Sequence, residues 1–118
     1  MEGALMSRVK EFSIAREFSA FPGGRKPHDG PFSGTRFREE FLRPLLEKND
    51  FVVLNLDGLA GLPSSFLEEV FGGLIREHIL PITHVGERLK LKTTEPELSV
   101  YIPMAYKYAK DVADAQAH

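Results

Sequence analysis

The chain has 118 residues, 42% of them hydrophobic and 27% charged, with no tryptophan and no cysteine. That length suits one domain of roughly 100–150 residues built on one core, which excludes a two-domain enzyme with an interdomain cleft. The 15 Lys and Arg against 17 Asp and Glu give a net charge of −2, so the electrostatic footprint of a nucleic-acid binder is missing; the lack of cysteine excludes disulfides, thiolate metal ligation and a thiol nucleophile.

Residues Met1–Ser7 carry no charged region followed by an apolar run, and no stretch approaches the ~20 apolar residues of a membrane span. The expectation is a soluble cytoplasmic protein, with one domain over residues 8–115 and flexible ends at 1–7 and 116–118.

The alternation of Val9-Lys10-Glu11-Phe12-Ser13-Ile14 predicts a strand, with Val9 out of phase with Phe12 and Ile14. Phe21–Gly34 has three prolines and four glycines in fourteen residues, a long irregular loop of the kind that carries function or is disordered. Ser33 then caps a helix whose inward stripe is Phe37, Phe41, Leu42, Leu45 and Leu46, and Pro44 kinks it or ends its regular part. Phe51–Leu56 is a short apolar run before the turn Asp57-Gly58, which predicts a strand buried on both faces at the centre of a sheet.

A second helix starts at Ser64 or Ser65 and faces Leu67, Val70, Phe71 and Leu74 inward. Its Gly72-Gly73 pair costs about 1 kcal/mol per residue relative to alanine, which points to close packing against a neighbour. Pro81 is expected to end that helix. The strict alternation of Arg88–Lys92 predicts an exposed or edge strand. Between Thr94 and Ala115 a helical period returns, either capped by Thr94 with Glu97 or starting at Pro103 after an extended Leu98–Ile102.

Four stretches in this order, PGGR at Pro22–Arg25, SG at Ser33–Gly34, VLNLDG at Val53–Gly58 and SSFLEEVFGGL at Ser64–Leu74, resemble a bacterial STAS-like family of unknown function. The name refers to the domain shared by sulfate transporters and anti-sigma-factor antagonists. The resemblance implies an α/β fold: a small STAS-like sandwich with a mixed sheet of about four strands and helices packed on it. In the antagonists a serine at a helix start is phosphorylated by a histidine-kinase-like ATPase, which switches binding. Ser64 falls opposite that serine and Ser65 follows it, while Pro63 stands in place of an aspartate and Phe66 in place of a glycine. The family brings no established activity with it.

Two candidate sites follow. Ser64 and Ser65, with Asp57 after the central strand, form a possible phosphoacceptor or partner contact, since a phosphate is favoured at a helix N-terminus. The bland reading makes Ser65-x-x-Glu68 a capping box and Asp57 a turn residue. Glu68 and Glu69 oppose a phosphate, and lying about 100° apart on the helix they leave one of the two solvated. The second site is an anion pocket of Arg25, Lys26, Ser33, Gly34 and Arg36, with Arg38 nearby; its bland reading is a structural loop with solvated arginines.

The histidines show no ligand spacing, so neither metal nor cofactor is inferred, and no catalytic constellation is present. The reading favoured is a non-enzymatic regulatory or protein-interaction domain, partnered with a histidine-kinase-like ATPase and switched by serine phosphorylation. The alternative is a small anion- or nucleotide-binding domain using loop 22–38. Neither nucleic acid nor membrane is expected as a partner, and a homodimer through the last helix or the edge strand is left open.

Overall fold

The computed structural model describes residues 7–117. Of the expected flexible ends, residues 1–6 and 118 lie outside the described residues. Strand β1 (Val9–Ser13) runs into a single helical turn α1 (Ile14–Glu17). Ser13 caps that turn by accepting the Arg16 N–H, and Ile14 is buried. The phase break between Val9 and Ile14 therefore marks a change of element.

The loop leads to helix α2 (34–48), made of α-helical Gly34–Phe37, a π-helical turn Arg38–Leu42 and α-helical Arg43–Lys48. Ser33 caps it as the sequence predicts, its hydroxyl oxygen accepting the Arg36 N–H. Pro44 does not end the helix, but its regular α-helical geometry is broken just before the proline by the π-helical turn. The Arg43 N–H reaches back five residues to the Arg38 carbonyl, and a wider turn just before a proline relieves the clash of its ring with the carbonyl four residues back.

Strand β2 (Phe51–Asn55) leads to helix α3 (64–76): Ser64–Leu67, a second π-helical turn Glu68–Gly72 and Gly73–Arg76. This helix stops at Arg76, before Pro81. His78 closes it with a left-handed backbone, φ 57°, while Ile79 N–H bonds the Leu74 carbonyl. Pro81 instead caps helix α4 (Ile82–Arg88), which no apolar period announced. Strand β3 (Leu89–Lys92) follows directly.

A 3₁₀ turn, Pro96–Leu98, then leads to helix α5 (Tyr101–Gln116). Thr94 caps neither, because its hydroxyl donates to Asp57 at 2.8 Å. Leu98–Ile102 is not extended either, and Pro103 sits harmlessly in the first turn of α5, where no N–H partner is needed.

Among the described residues the sheet has three strands in the order β1-β2-β3, all parallel, which corrects the expected mixed sheet of about four. Each pair of neighbours is joined by a helical crossover, the connection parallel strands require. Two such crossovers stepping in the same direction place their helices on one face. The burial pattern agrees: Val52, Leu54 and Leu89 are sealed under helices, while Phe51, Val53 and Asn55 are half-exposed. So β2 is central, as predicted, but covered on one face only, and β3 is an edge strand.

Below the sheet Phe12, Phe18, Phe37, Phe41 and Phe66 interlock with ring centroids 5.2–6.3 Å apart, in tilted, edge-on and stacked geometries. Gly72 lies against Val112 of α5, and Gly73 against Arg38. The glycine pair does serve close packing.

Gly34 is the tightest backbone crossing between helices: a Cβ there would lie 2.8 Å from the Glu69 Cβ and 3.1 Å from the Phe66 carbonyl oxygen. Gly34→Ala is expected to cost about 1–3 kcal/mol, lowering the midpoint of a thermal melt by about 4–8 °C per kcal/mol. Gly86→Ala in α4, where a Cβ meets nothing within 4 Å, is expected to raise it slightly, by removing a helix-interior glycine.

Candidate functional site

The glycine-rich loop closes on itself. Gly23 N–H bonds the Phe32 carbonyl at 3.0 Å, Gly34 N–H the Gly24 carbonyl at 2.8 Å, and Thr35 N–H the Arg25 carbonyl at 2.9 Å. Gly24 holds φ 86°, a conformation that favours glycine. The Asp29 carboxylate accepts the Lys26 and Arg25 amides at 3.0 and 3.2 Å. These backbone bonds, the one from Lys26 first, hold its pKa below the ordinary value. The anion on the loop's amides is thus the chain's own.

Behind the loop the two π-helical turns face each other through Arg38 and Glu69, which are 4% and 5% exposed. Arg38 Nη1 donates to Glu69 Oε2 at 2.8 Å and to the Glu69 carbonyl at 2.6 Å, while its Nε donates to Glu39 at 2.8 Å. Lys26 Nζ reaches the same Glu69 oxygen at 3.2 Å, and the Thr35 hydroxyl lies 3.1 Å from it. Burial pushes the Glu69 pKa up, but the bonds from Arg38 and Lys26 outweigh it and leave it lowered. Glu68, one residue on, takes Arg25 and Arg76, the latter at 2.6 and 3.2 Å. Arg76, then Arg25, pull its pKa down as well.

Four cations from the loop, α2 and the end of α3 therefore converge on two adjacent carboxylates. Neither glutamate is left solvated, which corrects the expectation for that pair. Arg36, the remaining cation of the anion pocket, donates to Glu40 at 3.2 Å and to the Pro31 carbonyl at 2.7 Å, and lies over the rings of Phe18 and Phe32. Ser33 and Gly34 are buried in the helix start.

The capping box expected of Ser65 and Glu68 is not formed. Pro63 occupies the cap position, no side chain caps the helix, and Glu68 is engaged by the arginines. Ser64 is exposed at the first residue of α3 and Ser65 is half-buried at the second. Glu68 N–H bonds the Ser64 carbonyl, so Ser64 sits one turn below Glu68 on the same helix face. Through Glu68, Ser64 of the first candidate site lies next to Arg25 of the second.

Asp57 turns elsewhere. It accepts the Thr93 hydroxyl at 2.6 Å and both the N–H and hydroxyl of Thr94 at 2.8 Å, bonds that lower its pKa, Thr93 foremost. Gly58, at φ 90°, donates its N–H to Glu95 at 2.7 Å. Asp57 thus ties the end of β2 to the segment after β3, the turn role rather than a contact beside Ser64.

On the other side of Ser64 lies an apolar groove of about 410 Å³, lined by Phe21, Pro22, Ala60–Pro63 and Tyr101. Phe21 is 76% exposed and Val100, beside Tyr101, 55% exposed. The sequence reading missed these residues. The signal was a bulky apolar side chain next to Pro22, inside a loop with no periodic element to bury it.

Arg38→Met removes the buried partner of Glu69, leaving it Lys26 and Thr35 in hydrogen-bond reach and Arg25 and Arg76 only at 3.8 and 3.9 Å, and is expected to destabilise the fold by about 3–5 kcal/mol in urea titration at pH 7. Because Glu68 and Glu69 titrate below the ordinary 4.5 when folded, their contribution is complete above that value and is lost as pH falls through the lowered folded values. The urea midpoint of the wild type should fall below about pH 4.5, and Glu69→Gln should show a shallower fall from a lower starting point.

A family model described as a STAS-like domain of unknown function (DUF4325) matches residues 33–98. The matched span runs from the cap of α2 to the 3₁₀ turn before α5, and takes in Ser33–Gly34, Val53–Gly58 and Ser64–Leu74 while leaving out Pro22–Arg25. None of the curated proteins compared matches the chain. No solved structure matches it either. With more than half its length matched, including both π-turned helices and two of the three strands, the chain belongs to the STAS-like domain family of unknown function.

Proposed function

We propose that this is a non-enzymatic regulatory domain that binds a protein partner through the surface around Ser64, the partner being a histidine-kinase-like ATPase that phosphorylates that serine. The observation that carries the reading is the position of Ser64. It is exposed at the first residue of α3 with Glu68 one turn above it, and an apolar groove begins at the adjacent Pro63. An exposed aromatic and apolar patch beside a polar switch residue is the usual make-up of a protein-docking surface.

The electrostatics favour the phosphate. Arg25, Lys26, Arg38 and Arg76 all reach Glu68 or Glu69, Arg38 holding Glu39 as well, so the two carboxylates expected to oppose a phosphate are neutralised. A phosphoserine carries about −1.5 to −2 charges and three acceptor oxygens. The half-exposed Arg25 is the cation able to leave Glu68 for it.

Affinity capture from lysate of the source organism, with mass spectrometry of bait and prey, tests the reading. The expected outcome is a histidine-kinase-like ATPase as prey and about 80 Da added at Ser64. Ser64→Ala should abolish the modification and Ser65→Ala should leave it. Ser64→Asp and Phe21→Ser should each weaken the purified pair at least about tenfold, equivalent to 1.4 kcal/mol, with unchanged melting temperature. An unmodified bait, with affinity indifferent to Ser64→Asp and Phe21→Ser, would sink the proposal.

A further inference from the structure

Among the described residues, the sheet has a face that no helix covers. Strand alternation brings Val9 and Glu11 of β1, Phe51 and Val53 of β2, and Lys90 of β3 to that side. Val9 is 61% exposed, and Phe51 and Val53 are half-exposed, where Val52, Leu54 and Leu89 on the opposite side are sealed. Sheets of parallel strands occur almost only with both faces covered, because their apolar side chains project on both sides.

The register shows what fits there. Glu11 pairs with Val53 and Val53 with Lys90, so one row across the sheet reads acid, apolar, base. The row before it is headed by Val9 and Phe51. We infer that a second copy of this chain docks on this face, sheet to sheet, about a two-fold axis running along β2. That axis exchanges the two edge strands, so Glu11 of each copy meets Lys90 of the other while Phe51 and Val53 meet their own counterparts on the axis. A face-to-face two-fold that instead runs across the strands through this row stacks Glu11 on Glu11 and Lys90 on Lys90 and is disfavoured by like charge. Glu11 already holds Lys92 of its own chain at 3.0 Å, whereas Lys90 makes no ion pair among the described residues and has its charge to offer.

Three strands of this length present a face of roughly 240 Å², well short of the ~800 Å² per partner of a standard stable interface. The dimer is therefore reversible and forms at high concentration. Sedimentation equilibrium from about 10 μM to about 1 mM, spanning that weak range, should show the mass rising toward twice the monomer. Glu11→Lys and Lys90→Glu each set like charges against each other on both sides of the axis and should weaken association about tenfold or more. An equimolar mixture of the two variants opposes unlike charges again and should associate as the wild type does, with circular dichroism confirming that each is folded. A wild type that stays at monomer mass throughout overturns the inference without recourse to any variant. So do variants that associate undiminished, or a mixture that does not recover.

Discussion

The pair Arg38 and Glu69 fixes how the two crossover helices sit against each other. A buried ion pair adds little net stability, since desolvating two charges offsets most of their attraction, but breaking it strands a charge in the interior. Its value lies in the geometry it permits. Arg38 Nη1 bonds both the carboxylate and the main-chain carbonyl of Glu69, and Gly73 leaves room for the guanidinium, because a Cβ there would stand 2.3 Å from Nη1. The π-helical turns fall at these residues in both helices, a local widening that often accompanies functional or close-packed positions.

From that helix pair the rest of the fold follows. With α2 and α3 locked together on one face, Val52, Leu54, Leu89 and Leu91 are covered, and among the described residues the opposite face is left bare. The same lock holds the glycine-rich loop, because Lys26 shares the Glu69 oxygen that Arg38 uses, and Arg25 takes the neighbouring Glu68. A fourteen-residue stretch with three prolines and four glycines would otherwise have little to order it; instead it is pinned at Gly23, Gly24 and Arg25 to the start of α2. Phe21, at its edge, is held in solvent because both its neighbours in space, Pro22 and the Ala60–Pro63 segment, are fixed.

How much of this the sequence disclosed depended on the range of the interaction. The strands, the starts of α2 and α3 and the packing role of Gly72-Gly73 were legible, since apolar period and, for α2, a serine cap are local signals. The sheet's composition was not, because strand direction is decided by crossovers and by no residue within the strands. Helix α4 hid because only Val85 is buried in its seven residues. At the site the failures had one cause. Arg25, Lys26 and Arg38 were recognised as a cationic group, and Glu68 and Glu69 as an acidic one, but their partnership spans 31–43 residues of chain, and no spacing rule connects charges at that separation. The capping box failed partly for the same reason: Ser65-x-x-Glu68 has the right spacing, yet Arg25, 43 residues away, and Arg76, 8 residues on, held a stronger claim on Glu68.

The saturation of these charges also weighs in favour of the first of the two functional readings. An anion pocket needs donors that are free in the absence of ligand. Here the loop amides hold Asp29, the first N–H groups of α2 hold Gly24, Arg25 and Ser33, and Arg36 holds Glu40 and Pro31. An external phosphate would have to displace several carboxylates at once. A phosphate attached at Ser64 needs to displace only one, because it arrives covalently, one turn from Glu68, and competes for the half-exposed Arg25 at high effective concentration. Arg38 and Glu69, buried beneath, would be untouched, so the charge of the modification would be read out at the surface while the helix pair that defines the fold stayed locked.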